Sequence, residues 1–172
     1  MVTARQYEGI GRFTIAFNEI DEVVKAYLPL IERHSRCART SSRNRLQTFE
    51  QRATALRDTL EAASAAHGVV GAFASGIQET LDTATAISKK RNEYVHAVVS
   101  FDFTTNTRIL QMRSGKVPPD ENQAFDLASQ AAFVASKLAE SCEAILRAYL
   151  GISQASSEFA VLEEEHEGET ME

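Results

Sequence analysis

GRFTIAFNEIDEVVKAYLPLIERHSR, residues 11–36, carries the pattern that decides the fold. Phe13, Phe17, Ile20, Val24, Leu28 and Ile31 recur at steps of three and four, so a helix gathers them on one face. Pro29 falls inside this stripe and predicts a kink rather than a stop, because Ile31 keeps the period beyond it. The helix is expected from about Arg5 to Arg36.

Reading onward, a Ser/Thr/Arg-rich loop from Thr40 to Asn44 offers N-cap residues. Leu46, Phe49, Ala53, Leu56 and Leu60 then form the packing seam of a second helix, which His67-Gly68 ends. A third helix is predicted to open near Ser75, where Ser75-x-x-Gln78 reads as a capping box. Its seam is Ile77, Leu81, Ala84, Ser88, Arg91, Val95 and Val98, polar at Ser88 and Arg91. Past Val98 the period drops to two. Val99 to Phe103 alternates, Arg108 to Met112 does so more weakly, and Thr104 to Thr107 has turn chemistry. A small β-hairpin or extended insertion is expected there. Pro118-Pro119-Asp120 starts a fourth helix whose stripe is Phe125, Ala128, Ala131, Ala135, Leu138, Cys142, Ile145 and Tyr149, closed by Gly151. Four amphipathic helices with short connections imply an all-α protein: an up-and-down four-helix bundle with the insertion between helices three and four.

The chain of 172 residues, 44% hydrophobic and 24% charged, has the balance of one soluble globular domain. No apolar run reaches the roughly 18–20 residues that cross a bilayer. No secretory signal is visible between Met1 and Gly11, and Cys37 and Cys142 suit a reducing cytoplasm as free thiols. The net charge of −6 is unevenly spread. Residues 153–172 carry seven acids and no Lys or Arg, whereas residues 1–152 hold 17 acids against 18 bases. The reading is a bundle over 1–152 and an acidic, disordered tail over 153–172. Arg33 to Arg57 leans the other way, with seven arginines opposed only by Glu50. That stretch, Arg39, Arg43 and Arg45 above all, is a candidate phosphate-binding surface, or equally a solvated helix connection.

Most catalytic signatures are missing: no HExxH, no CxxC, no Walker loop, no Gly-x-Ser-x-Gly. Gly68, Gly71 and Gly76 follow a helix rather than a strand, and read as an interhelical turn. His34 and His166 lack ligand partners at helical spacing, Cys142 lies on a core stripe, and Asp21/Glu22 read as a solvated face. One segment stands apart, Lys89-Lys90-Arg91-Asn92-Glu93-Tyr94-Val95-His96. Asn92 and His96 fall one turn apart on one helix face, with Arg91 on the flank, where its long stem can swing round. A fixed cation, an amide and a group that titrates near neutrality suit an RNA phosphodiester. Arg91 would bind the phosphoryl oxygens, His96 would move a proton, and Asn92 would orient either; Lys89 and Lys90 would hold the backbone. No metal or other cofactor is required. Attack by the 2′-hydroxyl needs both a base and an acid, and a two-fold dimer through helix three would bring two copies of His96 together. The polar break at Ser88 and Arg91 reads as a face that meets that partner chain.

Arg91-Asn92-Glu93-Tyr94-Val95-His96 resembles the Arg-x(4–6)-His motif of the HEPN superfamily, in the form where a polar residue follows the Arg. The setting near the end of the third of four helices is similar, as is the extended segment Ala97 to Met112 after the His; the likeness in layout covers roughly Tyr7 to Leu150. The resemblance implies a metal-independent endoribonuclease, homodimeric, with Arg91 and His96 catalytic and Asn92 supporting. It implies roles in toxin–antitoxin or phage defence, with any antitoxin or regulatory protein a separate chain. HEPN-like bundles also serve as non-catalytic interaction or RNA-binding modules, and the acidic tail would then mimic nucleic acid, shielding a basic surface of this protein or of a partner.

Overall fold

The computed structural model describes residues 3–35, 46–66, 68–102, 104, 107–112 and 122–169, with the backbone alone for Val69, 98–102, 107–110 and 152–169. Helix α1 (Ala4–His34) begins with a reciprocal cap. Thr3 Oγ1 accepts from the Gln6 N–H at 3.2 Å and Gln6 Oε1 accepts from the Thr3 N–H at 3.0 Å, so two otherwise orphaned donors are satisfied. All six residues of the apolar stripe, Phe13 to Ile31, are buried, and the helix passes through Pro29 to its cap at Ser35.

Helix α2 (Phe49–Ala66) buries Phe49, Ala53, Leu56 and Leu60 of the expected seam and Ala63 one step beyond it, with Leu46 partly buried ahead of the helix. Ala55 and Thr59 are buried beside it, so α2 is covered on two flanks. Helix α3 (Gly68–Val95) starts two residues after α2 ends. This corrects the expected start at Ser75: Ser75 and Gln78 are exposed helix interior, and no interhelical turn separates Gly68, Gly71 and Gly76. The cause is the apolar period, because Val70 and Ala74 are buried in line with Ile77, Leu81 and Ala84. That burial outweighs a helix penalty of about 1 kcal/mol per glycine. Toward its end, Tyr94 turns inward in place of Val95, which stands 42% exposed. The Tyr94 ring meets Phe13 edge to face at 5.9 Å, and its hydroxyl donates to Gln123 Oε1 at 2.8 Å.

Strands β1 (Val98–Asp102) and β2 (Thr107–Gln111) pair antiparallel, with Val98 opposite Gln111 and Asp102 opposite Thr107. Met112, directly after β2, is buried in the bundle core. Helix α4 (Gln123–Glu169) buries Ala124, Leu127, Ala131, Ala135, Leu138, Cys142, Ile145 and Tyr149. Burial pushes the Cys142 thiol up to about 12, in keeping with a packing role. The helix does not close at Gly151. Its backbone continues to Glu169, through the stretch expected to be a disordered tail. One glycine costs too little to stop a helix whose following residues include no proline.

Named contacts give the helix directions. Arg5 donates to Asn122 Oδ1 at 2.8 Å, and a Cβ on Gly9 would lie 3.1 Å from Ala124, so α1 and α4 start at the same end. Phe17 packs on Phe49 and Asp21 on Arg52, so α1 and α2 run the same way. Helix α3 opposes all three: Phe13 meets Tyr94 and Phe17 meets Arg91, Glu50 meets Ser88 and Arg57 meets Asp82, and Tyr94 meets Gln123. The four-helix bundle is therefore not up-and-down; α1, α2 and α4 are parallel and α3 alone is antiparallel. Only short connections force neighbouring helices to alternate in direction. The segment between His34 and Phe49 can span roughly 45 Å when extended, more than the roughly 25 Å of helix from Phe17 to His34 that it must retrace.

Leu56 has no exposed surface and sits where α2 meets the rest of the core. Leu56→Ala should destabilise the protein by about 2–5 kcal/mol in urea titration followed by circular dichroism. A loss below about 1 kcal/mol would place Leu56 outside the core.

Candidate functional site

The first turn of α2 lies in the angle between α1 and α3, and a cleft of ≈ 270 Å³ opens there. Thr48 caps α2, accepting from the Gln51 N–H at 3.3 Å, while Gln51 Oε1 accepts from the N–H groups of Gln47 and Thr48. The helix start is thus largely self-capped. Arg52 reaches back to α1, its Nη2 donating to both oxygens of Asp21 at 2.7 and 2.8 Å and its Nη1 to the Leu46 carbonyl at 2.9 Å. With both side chains under one-sixth exposed (13% and 15%), this bidentate pair clamps α2 to α1. Asp21 is therefore a half-buried structural partner rather than part of a solvated face; Glu22 remains exposed beside Lys25.

On the other wall, Ser88 is 2% exposed and its hydroxyl donates to Glu50 Oε1 at 2.6 Å. The Ser88 bond holds the Glu50 carboxyl below its ordinary value, helped by the Glu50 N–H, Thr48 and Arg52 and opposed by burial. This answers the polar break in the third seam. Ser88 faces α2 inside one protomer, not a partner chain.

Arg91 follows one turn later and also turns inward. Its guanidinium carbon sits 5.7 Å from the centre of the Phe17 ring, and Nη1 donates to Asn92 Oδ1 at 3.1 Å. Arg91 Nε is buried with no hydrogen-bond partner among the described residues. Arg91 and Asn92 both line the cleft. His96 does not. It is exposed just past the end of α3, its backbone N–H donating to the Asn92 carbonyl at 3.1 Å. No hydrogen bond joins its imidazole to Arg91 or Asn92 among the described residues, so the Arg91 stem has not swung toward it.

Lys89 and Lys90 are exposed on the outer side of the same turn. Arg39, Arg43 and Arg45 lie outside the described residues. Of the arginine-rich stretch, Arg52 is committed to Asp21 and Arg57 donates to Asp82 at 2.6 Å, so both brace helices. A larger hollow of ≈ 370 Å³ beside Leu28, Pro29 and Leu46 has only Lys25 and Arg52 as charged walls, both paired with carboxylates. Among the described residues no group of His, Cys, Asp and Glu could hold a metal ion, and no helix is long and apolar enough to cross a membrane. Glu50 and Arg52 are site residues that local spacing does not reveal, and Ser88 shows there only as a polar break in its seam; the sole signal for Glu50 is its isolation as the one acid among seven arginines.

The arrangement can grip one anionic group at Arg91 and Asn92 and accept hydrogen bonds at Glu50. Comparison with known proteins finds no matching family model, no similar curated protein and no similar solved structure.

Because the folded Glu50 carboxyl lies below its unfolded value, its stabilisation is present above the unfolded value and lost as pH falls through the folded one. Ser88→Ala should cost about 1–2 kcal/mol at pH 7, and the difference from wild type should shrink in acid as Glu50 protonates. Thermal melts across pH 3–8 check this; a pH-independent difference would mean that the bond to the carboxylate is not the cause.

Proposed function

We propose that the protein is a metal-independent endoribonuclease of HEPN type that acts as a homodimer on RNA. The observation that carries this reading is Arg91, a guanidinium with a buried, unpartnered Nε, opening with Asn92 into a polar cleft one helical turn from an exposed imidazole at His96. Arg91 neutralises the phosphoryl oxygens as the 2′-oxygen attacks phosphorus and the bond to the 5′-oxygen breaks. His96 moves a proton at one of these oxygens, and the second copy of His96 serves the other. Products are a 2′,3′-cyclic phosphate and a free 5′-hydroxyl.

Support for the dimer through α3 comes from its final turn. Val95 exposes apolar surface next to His96, and Lys89, Lys90 and Glu93 are exposed over the last two turns of the helix. Packing two such ends together would cover Val95 and bring the imidazoles toward one another. Lys89, Lys90, Arg39, Arg43 and Arg45 would bind the RNA backbone. A cytoplasmic role in toxin–antitoxin or phage defence, with a separate antitoxin or regulatory protein, fits such an activity.

One observation favours a second reading: the His96 imidazole is not joined to the cleft. A non-catalytic HEPN-like module that binds RNA or a protein partner would have this property. His96→Ala separates the two. For the enzyme, the variant keeps its helicity and dimerisation while RNA cleavage falls at least a thousandfold, and EDTA leaves wild-type cleavage intact. Undiminished cleavage by His96→Ala, or strict metal dependence, removes the nuclease assignment.

A further inference from the structure

The cleft beside Arg91 holds two opposite charges that do not pair with each other. Glu50 is anchored by Ser88 at 2.6 Å, and among the described residues no lysine or arginine forms an ion pair with it. The cation closest in sequence, Arg52, is spent on Asp21. Arg91 likewise forms no ion pair among the described residues and keeps a buried Nε without a hydrogen-bond partner. A half-buried carboxylate and a half-buried guanidinium left apart in one cleft are complementary to a ligand that carries an anion at one end and paired N–H donors at the other.

We infer that this cleft is a guanine-recognition subsite, with Glu50 accepting from the base while Arg91 and Asn92 hold the adjoining 3′-phosphate. This rests on the ribonuclease reading for the identity of the phosphate. The Watson–Crick edge of guanine presents N1–H and the 2-amino group side by side, matching the lone pairs that an acceptor-only carboxylate keeps after Oε1 has taken the Ser88 hydroxyl. Adenine and cytosine offer one amino donor beside a ring nitrogen lone pair, and uracil offers one N–H between two carbonyls, so each turns an acceptor toward Glu50. The ≈ 270 Å³ volume lies just below the usual range for small-molecule pockets, which suits one nucleobase with its phosphate at the rim and not a stacked dinucleotide. Phe17 is 5% exposed and covered by Arg91, so selectivity comes from edge hydrogen bonding rather than from stacking on that ring.

The test is titration of the full-length protein with guanosine, adenosine, cytidine, uridine and inosine 3′-monophosphates, followed by calorimetry or NMR shifts. Guanosine 3′-monophosphate should bind about tenfold or more tightly than the adenosine, cytidine and uridine forms. Inosine lacks the 2-amino group and should lose about tenfold against guanosine, a comparison that needs no variant. Glu50→Gln should reduce the guanosine preference to less than about threefold, whereas Arg91→Ala should weaken all five alike. Equal affinities on the wild-type protein, or a guanosine preference that survives Glu50→Gln in a folded variant, overturn the assignment. Cleavage that depends on His96 but falls equally after all four bases would sink the subsite and leave the nuclease standing. Guanosine selectivity without His96-dependent cleavage would do the reverse.

Discussion

The placement of the first turn of α2 is the constraint on which the site depends, and two polar contacts set it. Arg52 grips Asp21 on α1 through a bidentate bond, and Glu50 takes the Ser88 hydroxyl from α3. Apolar packing of Phe49 on Phe17 supplies much of the attraction, because burial scales with area, but it leaves register poorly specified. Directional bonds from two sides resolve that ambiguity. A slip of α2 by one residue would rotate Glu50 and Arg52 by about 100° and leave half-buried charges unpaired. The cleft exists because α2 begins where these contacts hold it, wedged between two helices that run in opposite directions.

The same geometry explains why a helix seam can turn polar without becoming an interface. Ser88 and Arg91 sit on the inward side of α3, yet neither breaks the core. One donates a hydrogen bond to a carboxylate, and the other lays its guanidinium over an aromatic ring. Polar groups at the edge of a core are tolerated when each finds a directional partner. Arg91 is only partly satisfied, since its Nε has no partner among the described residues, while the residue itself lines the cleft beside Asn92.

Much of the helical framework was legible because a 3.6-residue period is a local signal. The stripe from Phe13 to Ile31 and the seam from Phe49 to Leu60 are buried as their spacing requires. Glycine misleads where it falls within an apolar period that continues past it. Gly68 and Gly71 read as breakers although Val70 and Ala74 continue the stripe, and Gly151 read as a stop although α4 runs on. The direction of α2 was invisible, since it depends on the span of a connection rather than on any residue in a helix. Within the site, Arg91 and Asn92 are sequence neighbours and stood out together. Glu50 and Ser88 lie 38 positions apart, and Asp21 and Arg52 lie 31 apart. Such pairs emerge only once the topology brings their helices into contact.

Helix α4 begins level with α1 but has 47 residues against 31. At 1.5 Å per residue it overshoots the end of its parallel neighbour by roughly 25 Å. A continuous rod cannot double back, so the glutamates at 163–165 are carried away from the Arg91 cleft rather than over it. Their negative field falls outside a Debye length of about 8 Å from that pocket at physiological salt. The cleft of its own protomer is thus out of reach of this acidic stretch.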